Sequence, residues 1–196
     1  MRRREILSVG PSMMGLGAVG CIGDADDENL QAADIDPETF ERTVDILEYD
    51  DTPSDFPAEF SIEVTQRRIN ASQTARLQVT ATSTAEDRWV RAQIPYYKTD
   101  VDDHPILVHA TNAGDSPPNN YVPMCISGEL TWEYEGFTGE TAPFQDLAPG
   151  SSWTSTLLVA ENPERDTCFP TGIYHYEMDH TLADAGFSWG FVLGVE

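Results

Sequence analysis

His175, Asp179, His180 and Asp184 stand close together near the end of the chain. Imidazole and carboxylate side chains together suit a hard or borderline metal ion. On an extended strand, however, His175 and His180 point to opposite faces. Aspartate also recurs throughout this sequence, so an Asp beside a His carries little information. The other two histidines, His104 and His109, lie far upstream. Serine, histidine and aspartate are all present, but no Gly-x-Ser-x-Gly turn and no phosphate-cradling glycine loop accompanies them. No pair of carboxylates stands out from the acidic background. The expectation from these residues is a non-enzyme with no catalytic residue, no metal and no cofactor. A metal-dependent hydrolase is the alternative, and it needs His175 to converge with His109 or His104 and an aspartate.

The other chemistry-bearing residue types are the three cysteines. Cys21 follows Arg2-Arg3-Arg4 and fifteen uncharged residues, Ile6 to Gly20. That run is shorter than the roughly twenty apolar residues a spanning helix needs, and Pro11 and glycines interrupt it. It has the length and flanks of a signal-peptide core. Arg3-Arg4-Glu5-Ile6-Leu7 resembles the twin-arginine export motif. Ala18-Val19-Gly20-Cys21 resembles a lipobox, in which the chain is cut before the cysteine and the thiol is alkylated by a lipid. Ala18 stands where that motif usually has leucine. Ala-x-Gly also resembles an ordinary cleavage site, and Cys21 as a small buried side chain is a third reading. The expectation is a lipid anchor on Cys21, with residues 1–20 as a signal peptide and export directed by Arg3 and Arg4.

The chain has 34 acidic residues against 11 basic ones. Removing residues 1–20 takes away three arginines and one glutamate, leaving 33 acids, 8 bases and a formal charge of −25. Lys98 is the only lysine. Such a chain repels itself in dilute buffer. At molar salt the Debye length falls to about 3 Å and the repulsion is largely screened. The composition resembles that of haloarchaeal proteins. No basic patch exists to meet phosphates, so nucleic acid is not an expected partner.

Residues 22–39 hold seven acids, no base and no aromatic residue, the pattern of a solvated tether. Phe40 to Asp51 fits a short helix face or a strand, and a strand is expected. From Phe60 the period is two: Phe60, Ile62 and Val64; Leu77, Val79 and Ala81; Val90, Ala92 and Ile94. Ile106 to Val108, Leu130-Trp132-Tyr134, Trp153-Leu157-Val159, Tyr174-Tyr176-Met178 and Phe187 to Leu193 follow. Short runs separated by turn residues at Asn70-Ala71-Ser72, Ala113-Gly114-Asp115, Ala148-Pro149-Gly150 and Pro170-Thr171-Gly172 predict one all-β sandwich of about seven to nine strands over residues 40–196. Asn70 is also the acceptor of a glycosylation sequon. The irregular stretch from Asp115 to Tyr121 is a candidate binding loop.

An exported chain meets an oxidising exterior, so Cys125 and Cys168, each expected at a strand edge, pair most simply with one another. The region around them carries a wider resemblance. LAPGSSWTSTLLVAENPERDTCFPTGIYHYE, residues 147–177, and FSIEVTQ…ARLQVTATST, from Phe60 to Thr84, resemble segments of Ig-like domains in uncharacterised haloarchaeal lipoproteins. The chain is more distantly similar to the Ig-like proteinase-inhibitor domain of bacilli, although no inhibitory loop can be matched residue by residue. In antibody-type domains a tyrosine stands two residues before the second cysteine. Here Tyr174 and Tyr176 follow Cys168, which argues against that type. With the signal segment and the lipobox-like cysteine, the expectation is a lipoprotein on the outer face of the cell membrane, or a secreted protein. It would act as a non-catalytic binding or structural module toward an envelope protein or glycan. A proteinase inhibitor is the alternative.

Overall fold

The computed structural model describes residues 35–93, 105–109, 121–128, 144–162, 167–182 and 185–196. Cys21, Arg3, Arg4, His104, Asp184, the strand at 130–134, the turn at 113–115 and most of the 115–121 loop lie outside these residues. Ten strands occur among the described residues: β1 (Glu41–Tyr49), β2 (Ala58–Gln66), β3 (Arg68–Asn70), β4 (Arg76–Ser83), β5 (Val90–Gln93), β6 (Ile106–His109), β7 (Phe144–Leu147), β8 (Ser152–Ala160), β9 (Gly172–Leu182) and β10 (Ala185–Val195). One short helix, α1 (Met124–Ser127), interrupts them.

Strict alternation builds the layers. In β2, Ala58, Phe60 and Ile62 are buried while Glu59, Ser61 and Glu63 face solvent. In β4, Leu77, Val79 and Ala81 are fully buried between polar neighbours. A strand of this pattern can hide its apolar side only against a second layer. The antiparallel order β2-β4-β8-β6 forms one four-stranded sheet, β3-β1-β10-β9 a second, and β5 pairs with β7 in a separate two-stranded sheet. Trp189, Phe191, Leu193, Tyr174 and Tyr176 of the second sheet share one buried cluster with Phe60, Leu77, Val79, Leu107, Leu157 and Val159 of the first. The outer face of the first sheet carries hydroxyls in place of lysines. Thr80 lies 3.1 Å from Thr154, and Thr82 lies 2.8 Å from Ser152.

Strand β8 breaks the alternation near its end, because Leu157 through Ala160 are all buried. Leu157 and Val159 belong to the main core, and Leu158 and Ala160 pack with Ile106, Val108 and Tyr121 in a second cluster on the other face. The continuous run Ile106-Leu107-Val108 has the same cause, since a strand covered on both sides needs no polar face.

The stretch from Phe40 to Asp51 resolves as strand over Glu41–Tyr49. Val44 is buried, whereas Leu47, which a helix face would have hidden, is exposed. Asp36 and Pro37 start a turn instead of a helix: Asp36 Oδ1 accepts from Glu38 N–H at 3.0 Å and the Asp36 carbonyl accepts from Phe40 N–H at 2.9 Å. Ile35 packs against the core, so the domain includes a few residues that composition assigned to the tether.

At the end of β1, Asp50 clamps the centre of β10. Its carbonyl accepts from Trp189 Nε1–H at 2.8 Å, its Oδ2 accepts from Gly190 N–H at 2.8 Å, and its N–H donates to the Gly190 carbonyl at 3.0 Å. Gly190 sits where β9 comes very close. A Cβ there would lie 2.3 Å from the Tyr176 carbonyl oxygen and 3.2 Å from Glu177 Cα. Both are backbone atoms and cannot swing away. Gly190→Ala is therefore expected to destabilise the domain by about 1–3 kcal/mol, the usual range for overpacking. The loss should appear as a lower urea midpoint, and an unmoved midpoint would contradict the close approach.

Candidate functional site

The structure places the three described histidines apart. His175 is exposed on β9, whereas His180, on the same strand, is 2% exposed. His109 lies on β6 in the other sheet. Among the described residues, no three His, Cys, Asp or Glu side chains converge as a metal site would require. His180 instead stands among aromatic rings, with centroids 4.6 Å from Phe60 and 5.3 Å from Phe187. Its Nε2 has no partner among the described residues. Burial lowers its pKa from 6.5 to about 4, against the opposing pull of the Asp179 carboxylate.

The cysteines do meet. Cys125 and Cys168 form a disulfide with Cα atoms 5.6 Å apart, within the ordinary range. The strand expected at Cys125 is replaced by α1, a single turn held from outside. The two carboxylate oxygens of Glu161 accept from Met124 N–H at 2.6 Å and Cys125 N–H at 2.7 Å. Gly128 closes the turn at φ 69°. Four residues are too few to print a helical period on the sequence.

After Cys168, Phe169 takes a positive φ of 48°, and Arg42 Nε–H donates to its carbonyl at 3.2 Å. The Tyr174 hydroxyl then reaches back to the Pro170 carbonyl at 2.6 Å. This is the hydrogen bond of a tyrosine corner, although the cysteine spacing of antibody domains is absent. Asn70 occupies the expected turn, with its Oδ1 accepting from Ser72 N–H at 3.0 Å and from the Ser72 hydroxyl at 2.8 Å.

A hollow among the described residues lies between the segment after β1, the start of β10 and the entry to β5. Its floor is apolar: Pro53, Phe56, Pro57 and Phe187. Local chemistry sets this floor. The Phe56 N–H bonds to the Pro53 carbonyl at 3.0 Å, and Phe60 N–H bonds to Thr52 Oγ1 at 3.0 Å. The two prolines fix the segment between those bonds. The Phe56 and Phe187 rings meet edge to face at 4.5 Å. The other wall is the link from β4 into β5, which brings Arg88, Trp89 and Arg91 to the rim. Trp89 is 68% exposed, the most exposed large apolar residue among those described. The Arg91 guanidinium lies 4.8 Å from the centroid of Phe144, itself exposed on β7. Asp55 is the acidic member of the lining, and the groove holds about 390 Å³.

Comparison with protein-family models, curated proteins and solved structures finds no match. The groove must therefore be read from its own side chains.

Two of the eight bases among residues 21–196 stand on its rim. Among the described residues, neither Arg88 nor Arg91 joins an ion pair. Arg67 and Arg68, by contrast, meet Asp45 and Glu41 at the edge of the other sheet. A second hollow, of about 220 Å³, lies on the outer face of that sheet between Leu47, Ile173 and Gly194, with Asp45 and Glu196 in its lining. It offers apolar surface without a cation. The alternation of Val90, Ala92 and Ile94 singles out neither Arg91 nor Trp89. The available signal was an exposed-type Arg-Trp-Val-Arg tetrapeptide in a chain almost devoid of bases.

Proposed function

We propose that the chain is a cell-surface lipoprotein. Its Ig-like sandwich would act as a non-catalytic binding module, held to the membrane of a halophile through a lipid on Cys21. The observation that carries the binding reading is the groove rimmed by Trp89, Arg88 and Arg91. An indole kept in water costs solubility and offers a flat contact surface. Two arginines beside it supply forked donors in a chain that otherwise avoids positive charge. A rigid two-layer scaffold beneath them keeps the entropic cost of binding low. The arginine pair and lipobox-like cysteine in the sequence support export and anchoring, and the disulfide fits an oxidising exterior.

Cell fractionation tests the anchor. Cys21→Ser is expected to move the protein from the membrane fraction to the medium, or to leave it unprocessed. Membrane retention equal to wild type would overturn the lipoprotein reading. Arg3→Lys with Arg4→Lys is expected to leave the precursor in the cytoplasm, and unimpaired export of that variant would remove the twin-arginine assignment.

A further inference from the structure

We infer that the groove between the end of β1 and the start of β5 binds an acidic peptide segment carrying a large apolar side chain. The inference rests on the reading of the domain as a binding module and names the ligand class of that site. Three observations carry it. The floor, formed by Pro53, Phe56, Pro57 and Phe187, presents rings and no hydrogen-bonding side chain. A sugar needs several polar partners for its hydroxyls, whereas an apolar side chain needs none. At about 390 Å³ the groove lies toward the small end of ligand-pocket sizes, suited to one or two side chains.

Charge supplies the second observation. Arg88 and Arg91 stand at the rim without an ion-pair partner among the described residues, while residues 21–196 as a whole hold about four acids for every base. The guanidinium fork matches a carboxylate in two parallel hydrogen bonds. At the salt concentrations this composition suits, long-range attraction is screened within about 3 Å. Direct two-point contacts and stacking on Trp89 then decide affinity. The third observation is Asp55 in the same lining. It repels an unbroken run of negative charge, so the ligand has acids flanking an apolar residue in place of a polyanionic tract.

The full mature chain is titrated in 2 M NaCl with acetyl-Asp-Glu-Phe-Asp-Glu-amide. Binding is followed by indole N–H shifts in nuclear magnetic resonance spectra. Saturable binding is expected, with the largest shift at Trp89, assigned by its loss in Trp89→Ala. Replacing the central Phe of the peptide by Ala, or all its acids by Lys, should weaken binding at least tenfold. Arg88→Gln with Arg91→Gln should weaken it about tenfold or more. These positions are exposed, and unchanged melting confirms that the variants fold. Polygalacturonate serves as a non-peptide polyanion. Binding of polygalacturonate with no response to the peptide overturns the inference, as does a peptide response indifferent to the arginine or phenylalanine changes. Fractionation of Cys21→Ser is unaffected by any of these outcomes, so failure of the ligand class and failure of the anchor are read separately.

Discussion

Reducing the Cys125–Cys168 disulfide is expected to lower the stability of the domain by about 4 kcal/mol, the chain-entropy value for residues 43 apart. The folded state should survive the cut largely unchanged, because other contacts hold both ends. Glu161 grips the first N–H groups of α1. Arg42 holds the Phe169 carbonyl, and Cys168 is 1% exposed within the core. The effect therefore falls on the unfolded chain, which becomes free to expand. A formal charge of −23 makes that expansion more favourable when salt is low. Lowering salt from 1 M to 0.1 M lengthens the Debye length from about 3 Å to about 10 Å. Circular dichroism during a salt titration should show the reduced protein losing its β spectrum at higher salt than the oxidised one. Urea midpoints in 2 M NaCl, with and without reductant, measure the energy. A difference below about 1 kcal/mol would contradict the entropic account. Stability indifferent to salt would overturn the halophilic reading.

Acidification is expected to destabilise the protein through His180 well before most carboxylates are neutralised. The imidazole is buried among Phe60 and Phe187 and titrates at about 4, below its ordinary 6.5. Between those values the unfolded chain binds a proton that the folded chain refuses. Stability fully present above pH 6.5 is therefore lost progressively as pH falls toward 4, by about 3 kcal/mol in total. His180→Phe puts a ring of similar size among the same rings and removes the unpartnered Nε2 as well. It should be at least as stable as wild type at pH 7 and should lack this slope. Urea unfolding of both proteins at pH 7, 6 and 5, in constant molar salt, separates the histidine from the background of acids. Parallel stability curves would show that His180 is solvated or paired in the folded state.

The sandwich was legible where burial is one-sided. Residues Phe60–Ile62 and Leu77–Ala81 alternate because the other side of each strand meets water more than the core, and the period of two survives in the sequence. It was less legible at β8, where Leu158 and Ala160 are buried on the opposite face from Leu157 and Val159, so composition replaces period as the signal. Helix α1 left no trace, since its geometry comes from Glu161, distant in sequence, and from the αL conformation of Gly128. The order of Cys168 and Tyr174 speaks only against an antibody-type domain, and the Tyr174 hydrogen bond needs nothing more than a carbonyl four residues back. Of the groove, the rim residues were visible as letters. Their meeting was not, because Phe56, Trp89 and Phe187 come from three separate stretches that only the sheet order brings together.

The placement of β1 beside β10 also sets how the domain bears a load. The first residues of β1 face the last residues of β10, where Thr43 and Glu196 exchange two backbone hydrogen bonds of 2.9 Å each. The groove lies at the other end of the same pair, around Phe187 and Phe56. Eight residues of strand separate Phe187 from Val195, about 26 Å at the usual rise. A pull applied in the groove against a hold at the N-terminus therefore runs along the strands, dragging β1 and β10 in opposite directions. Hydrogen bonds stressed that way share the force and fail together, whereas a pull between the two chain ends would open the same ladder one rung at a time. The β1–β10 ladder is therefore expected to resist the first kind of load more strongly than the second.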